Sequence, residues 1–108
     1  MTALPTSPKQ LSESDNQALQ NAVAHHFENP VTAYILDAYF LQGCCHGFVH
    51  RHARADESGM FADGHRIMTS LVIGMEREGA YLVVRTLNSR YVVVSLSPTI
   101  HGAHRSLQ

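Results

Sequence analysis

The sequence predicts an α+β fold, with an N-terminal helix packed on a small antiparallel sheet. The sheet is a meander of three to four strands, either open or curled into a partial barrel. Three observations carry that expectation. Residues 66–96, RIMTSLVIGMEREGAYLVVRTLNSRYVVVSL, read as three short strands joined by two tight turns. Residues 19–27 hold one apolar stripe at helical spacing. Valines fill both faces of the last hairpin, which calls for cover on each side: the helix on one, a partner chain or a closing barrel on the other.

Taken in order, residues 1–11 contain two prolines and small polar side chains and read as a flexible or surface-laid arm. Ser12 is the expected N-cap, with Asp15 three residues on. Leu19, Ala22, Val23, His26 and Phe27 form the stripe, and Asn29-Pro30 is the expected stop, since proline disfavours helical geometry at the residue before it. Residues 31–42 are ambiguous between helix and strand: Pro30 can open a helix, yet Tyr34, Ile35, Tyr39 and Phe40 favour strands. We expect a short helical turn, then a strand over about 38–48 in which Gly43 and Gly47 permit bending. Residues 49–65 read as an irregular, mobile loop with turn signals at Asp56-Glu57-Ser58-Gly59 and Asp63-Gly64. Within residues 66–96, Ile67, Thr69, Leu71 and Ile73 share a face, and Glu76-Arg77-Glu78-Gly79 makes a turn. Thr86 then faces Tyr91, Val84 faces Val93 and Val83 faces Val94 across Asn88-Ser89. The expected domain is 12–97, followed by a loop-like tail over 98–108.

The chain has 108 residues, enough for one domain with a core of its own. No apolar run approaches the roughly eighteen residues that cross a bilayer, and the first residues lack a secretory signal, so a cytoplasmic protein without membrane association is expected. Net charge is −1, which disfavours a nucleic-acid backbone binder. The charges are unevenly spread. Up to His50 one base, Lys9, stands against four acids, and after it come seven arginines against five acids. Arginine suits bidentate contacts with carboxylates at an interface. The two cysteines, Cys44 and Cys45, are adjacent and so are read as reduced thiols.

Eight histidines are the sharpest anomaly. His50-x-His52 on an extended segment would put both rings on one face, as a two-ligand metal clip. Cys44, His46 or His65 could add a third ligand and Asp56 or Asp63 a fourth, a set that suits Zn, with Ni or Cu as further options. No C-x-x-C or H-E-x-x-H spacing supports this, and solvated or core histidines are the commoner case. Cys44 or Cys45 with His46, His50 or His65 as base would make a cysteine hydrolase, but adjacent strand residues face opposite ways and one thiol then belongs to the core. No phosphate loop, serine elbow or dinucleotide fingerprint is present.

The run Gly43-x-x-x-Gly47, Asp63-Gly64-x-x-Ile67-x-Thr69-Ser70 and Thr86-x-Asn88-Ser89-x-Tyr91 resembles a pattern in small, little-characterised proteins of bacteriophages, prophages and plasmids. It spans about the second half of the chain, which departs from it by a longer, histidine-bearing insertion between Gly47 and Asp63. The resemblance implies a mobile-element protein that inhibits or modulates a host complex, such as a CRISPR defence system. The expected function is therefore protein–protein binding without catalysis or cofactor, with Zn binding as the alternative. The expected contact residues are Arg51, Arg54, Asp56, Glu57, Phe61, Arg77 and Arg90, with a homodimer through a sheet edge as a further possibility.

Overall fold

A helix, two long strands in a hairpin, a loop and four short strands follow one another in the computed structural model, which describes residues 9–55, 59 and 61–98. Helix α1 is Glu13–Ala24, and the strands are β1 Ala33–Leu41, β2 Cys44–His50, β3 Arg66–Leu71, β4 Gly74–Glu78, β5 Tyr81–Arg85 and β6 Arg90–Val93. They form one six-stranded sheet in the order β3-β2-β1-β6-β5-β4, with α1 packed on it. Neighbours are antiparallel except β1 and β6, which run parallel, so the sheet is mixed. The α+β architecture with its N-terminal helix is as expected, with six strands in place of three or four. Among the described residues, no helix is long and apolar enough to cross a membrane.

Ser12 caps α1 as anticipated, its Oγ accepting from the Asp15 N–H at 3.1 Å. The helix stops at Ala24, a turn before Asn29-Pro30. His25 leaves in extended geometry and packs its ring 4.5 Å from Phe27 and 5.3 Å from Tyr81. This aromatic cluster against β5 outcompetes another helical turn. The arm entering α1 is pinned: Lys9 N–H donates to Gly64 C=O at 2.9 Å, and its ammonium pairs with Asp37.

Residues 31–42 contain no helical turn. β1 runs to Leu41, and Gln42-Gly43, both in the left-handed region (φ 52° and 79°), reverse the chain as a two-residue hairpin turn. The expected single strand over 38–48 is thus two strands. The strand expected through Ile73 ends at Leu71, and Glu76–Glu78 belong to β4, with the reversal at Gly79-Ala80. The last hairpin pairs Val84 with Tyr91, Val83 with Val92 and Arg85 with Arg90, two residues from the expected register, because its loop is the wider Thr86 to Ser89. An even slip keeps every side chain on its face.

β3 and β4 are the two edges of the sheet, yet only Val72 and Ile73 separate them. Three virtual bonds reach about 11 Å, whereas five strand spacings in a flat sheet span about 24 Å. The sheet must therefore curl until its edges meet at this corner. Two backbone bonds stitch the corner: Val72 N–H to Gly43 C=O and Ile73 N–H to Arg85 C=O, both 2.8 Å. The sheet does not close into a barrel, since β3 and β4 make no ladder with each other.

The curl gives the sheet an inner and an outer face, and the β5–β6 hairpin is covered on both. Inside lie Ala33, Ile35, Ala38, Cys45, Val49, Val84, Tyr91 and Val93, all buried. Outside, Ala22 of α1 packs with Val83 and Val92, flanked by Phe27, Tyr34 and Tyr81. Of the two covers anticipated for the valine hairpin, the helix supplies one and the curled sheet the other. Gly47 packs directly against β1. A Cβ there would sit 2.3 Å from Ile35 Cγ2 and 2.8 Å from the Leu36 carbonyl oxygen, and the latter cannot move without the strand. Gly47→Ala is expected to destabilise the fold by about 2 kcal/mol, read as a lower denaturation midpoint in urea. Wild-type stability in that variant would show the strands to be farther apart.

Candidate functional site

The loop after β2 is held by its own ends. Arg51 adopts φ 55° and its N–H donates to Asp63 Oδ1 at 2.7 Å, closing the loop mouth. Val49 brackets the same mouth, donating to His65 C=O at 2.8 Å and accepting from Gly64 N–H at 2.7 Å. Ala53 N–H donates to Thr32 C=O at 2.7 Å, tying the loop to the start of β1. The His52 ring stacks on Phe61 at 4.0 Å and 13°, so Phe61 acts as the anchor of the loop rather than as a free contact residue. Asp56 and Glu57 lie outside the described residues.

Beyond this loop three guanidinium groups gather at one end of the sheet. Arg85 Nε and Arg90 Nη1 share a single carboxylate oxygen, Glu76 Oε1, at 3.0 and 3.1 Å. Arg54 Nη2 donates to Ser89 Oγ at 2.6 Å, joining the histidine loop to the β5–β6 loop. Arg85 and Arg90 are direct cross-strand partners, an arrangement of like charges that costs stability unless an acid sits between them, as Glu76 does. Among the described residues, Glu76 is the one carboxylate paired with any of these three guanidinium groups. Next to them Leu87, at the tip of the β5–β6 loop, is 83% exposed.

Of the contact residues predicted from sequence, Arg54 and Arg90 meet here, and Arg51 is exposed at the entrance of the same loop. Arg77 does not join them: it lies toward the Gly79-Ala80 turn, donating to Ala80 C=O at 3.4 Å. Arg85 and Leu87 were not anticipated. The pairing of Arg85 with Arg90 is the signal that finds the first, and it becomes visible only in the true hairpin register.

The histidines and cysteines scatter. His50 pairs with Tyr34, which packs among the outer-face residues, so His50 is on the helix side. The left-handed Arg51 then breaks the alternation, and His52 stacks on Phe61 and meets the inner-face Tyr91 edge-on at 6.3 Å. The expectation that His50 and His52 share a face is thus corrected. His46 stacks on Tyr39 at 4.8 Å on the outer face, and Cys44 and Cys45 point to opposite faces. Among the described residues, no three of His, Cys, Asp or Glu converge as a group that could hold a metal ion. His50 and His52 are each 5% exposed, and burial is the main cause lowering both pKa values. Among the described residues the Nε2 atoms of both are buried without a hydrogen-bond partner, while His52 Nδ1 accepts from Arg54 N–H at 3.0 Å.

Cys45 is fully buried, and burial, with Cys44 beside it, pushes its thiol up to about 12. A thiol so protected supplies almost no thiolate at neutral pH. An open groove of about 280 Å³ lies between Arg77, Ala80, Leu82 and residues 93–96. Among the described residues its only ionisable lining group is Arg77, which provides no acid–base pair. No family model, curated protein or solved structure matches the chain.

Proposed function

We propose that this chain is a non-enzymatic interaction protein that occupies a surface on a host protein complex through its arginine end. The observation that carries the reading is the pair Arg85 and Arg90 on Glu76, with Arg54 joined to Ser89 next to Arg90 and Leu87 projecting beside them. Such a surface fits an acidic protein face with an apolar recess for Leu87. The arginines steer and orient the approach, and the leucine supplies desolvated area. Backbone bonds tie Ala53 to Thr32 at the start of β1 and Thr86 to Ser89 across the β5–β6 loop, which lowers the ordering cost of binding. The resemblance to mobile-element proteins makes a host defence complex, such as a CRISPR effector, the first partner to try.

Arg54→Glu combined with Leu87→Asp changes two surface side chains and leaves the core intact. Against a partner that co-purifies stoichiometrically with the wild type, the double variant is expected to bind at least about 30-fold more weakly, with an unchanged far-UV spectrum. Undiminished affinity, measured by titration calorimetry, would place the interface elsewhere on the fold.

A further inference from the structure

The outer face of β1, β2 and β3 beyond the helix carries two rows of side chains, and both run to the edge of the sheet. Pairing fixes the first row as Tyr39, His46 and Met68, and the second as Leu41, Cys44 and Leu71. Neither row contains Lys, Arg, Asp or Glu. Met68 is 67% exposed, Leu71 64% and Leu41 55%, so the strip is open rather than covered by α1. Contiguous apolar area of this kind marks an association surface.

The two edges of the sheet differ. β4, GMERE, presents Glu76, Arg77 and Glu78 in succession, the charged guard that prevents edge pairing. β3, RIMTSL, has no charge after Arg66, carries one extra residue against β2 between Met68 and Leu71, and meets no second strand among the described residues. An uncharged edge continuous with an apolar strip calls for a partner that brings a strand and an uncharged strip together.

We infer that a second copy of this chain is that partner, pairing antiparallel along β3 with Met68 on the two-fold axis. A two-fold perpendicular to the sheet keeps outward residues outward and sets Met68 against Met68, with the bulge at Thr69-Ser70 flanking the axis. The two Arg66 side chains are then at opposite ends of the pairing, and no like charges meet. The rows join across the axis into one strip, Tyr39–His46–Met68 continued by its symmetry mate. Pairing β3 with β4 of another copy would instead lay the apolar strip beside Glu76, Arg77 and Glu78, and its head-to-tail geometry would build open filaments. The isologous arrangement pairs the uncharged edge and leaves the charged β4 edge free. The dimer and the arginine end use separate surfaces, so a monomer would leave the host-binding reading standing, and loss of host binding would leave the dimer standing.

The test is light scattering coupled to gel filtration on the full chain at about 100 µM, a concentration that populates a dimer of low-micromolar affinity. The expected mass is twice 11.9 kDa, falling to the single-chain value in Met68→Lys, an exposed substitution that keeps the far-UV spectrum. Met68→Cys, in a Cys44→Ser background, gives the positive arm. Residues paired across the axis have Cα atoms about 4.5–5.5 Å apart, within disulfide reach. Oxidation should therefore cross-link Met68→Cys at least tenfold faster than Leu87→Cys in the same background. A wild-type monomer at that concentration overturns the inference. So does a dimer indifferent to Met68→Lys, or equal cross-linking at the two positions.

Discussion

Ile35→Ala is expected to cost about 4 kcal/mol, the largest loss of any single core truncation. Ile35 is fully buried and lies opposite Val49 on one side and Val93 on the other, at the point where β1 joins the two halves of the sheet. Its carbonyl accepts from Val94 N–H at 2.8 Å, and its Cγ2 fills the space left by the missing Cβ of Gly47. Removing three carbons there opens a cavity that neither neighbouring strand can collapse into, because both are fixed by backbone ladders. Domains of this size hold about 5–15 kcal/mol in total, so the variant should approach its unfolding threshold. Ile35→Val should cost about 1 kcal/mol, and Leu87→Ala, at an exposed loop tip, under about 0.5. Urea denaturation followed by far-UV dichroism measures all three. An Ile35→Ala loss no greater than that of Leu87→Ala would remove Ile35 from the centre of the core.

The parts of this fold legible in the sequence were those set by local chemistry. Ser12 announces the helix, and the valines of β5 and β6 announce a hairpin with two covered faces. Those faces survived a two-residue error in register because side-chain direction repeats every two residues. What stayed hidden depended on distant partners. Gln42-Gly43 did not read as a hairpin turn because glutamine is an uncommon residue in left-handed geometry. The bend at Val72-Ile73 was invisible because β-branched residues suit a straight strand equally well; Gly43 and Arg85, far away in sequence, decide the corner. The same dependence hid the candidate site. Arg54 and Arg90 stand out in the sequence by charge alone, but the meeting of Arg90 with Arg85 on Glu76, and the reach of Arg54 to Ser89, follow from strand order. The His50-x-His52 clip failed through one residue, Arg51, whose backbone turns left-handed and sends the two rings to different sides.

That same pair of histidines makes stability depend on pH in a defined direction. For His50 the largest influence is burial, which lowers its pKa; Asp63 and Asp15 oppose this, and Arg51 and Lys9 reinforce it. For His52 burial again dominates, and Arg54 lowers it further. In the unfolded chain each imidazole takes a proton near pH 6.5. Above that value both states are neutral and these groups contribute no slope. Below it the unfolded chain binds protons that the native state refuses, so stability falls as pH falls, until the native imidazoles also titrate. The slope is bounded by about 1.4 kcal/mol per pH unit for each histidine, or about 2.7 for the pair. Protonated His52 could no longer accept from the Arg54 N–H, and the loop end pinned by that bond would be the first element to loosen. His52→Asn offers an amide oxygen to the same N–H and cannot titrate. Its urea midpoint should therefore start lower at pH 7.5, for want of the Phe61 stack, and fall less steeply between pH 6.5 and 5.5. If wild type and His52→Asn lose stability in parallel across that interval, His52 is not titrating against the fold, and its burial beneath Phe61 would have to be abandoned.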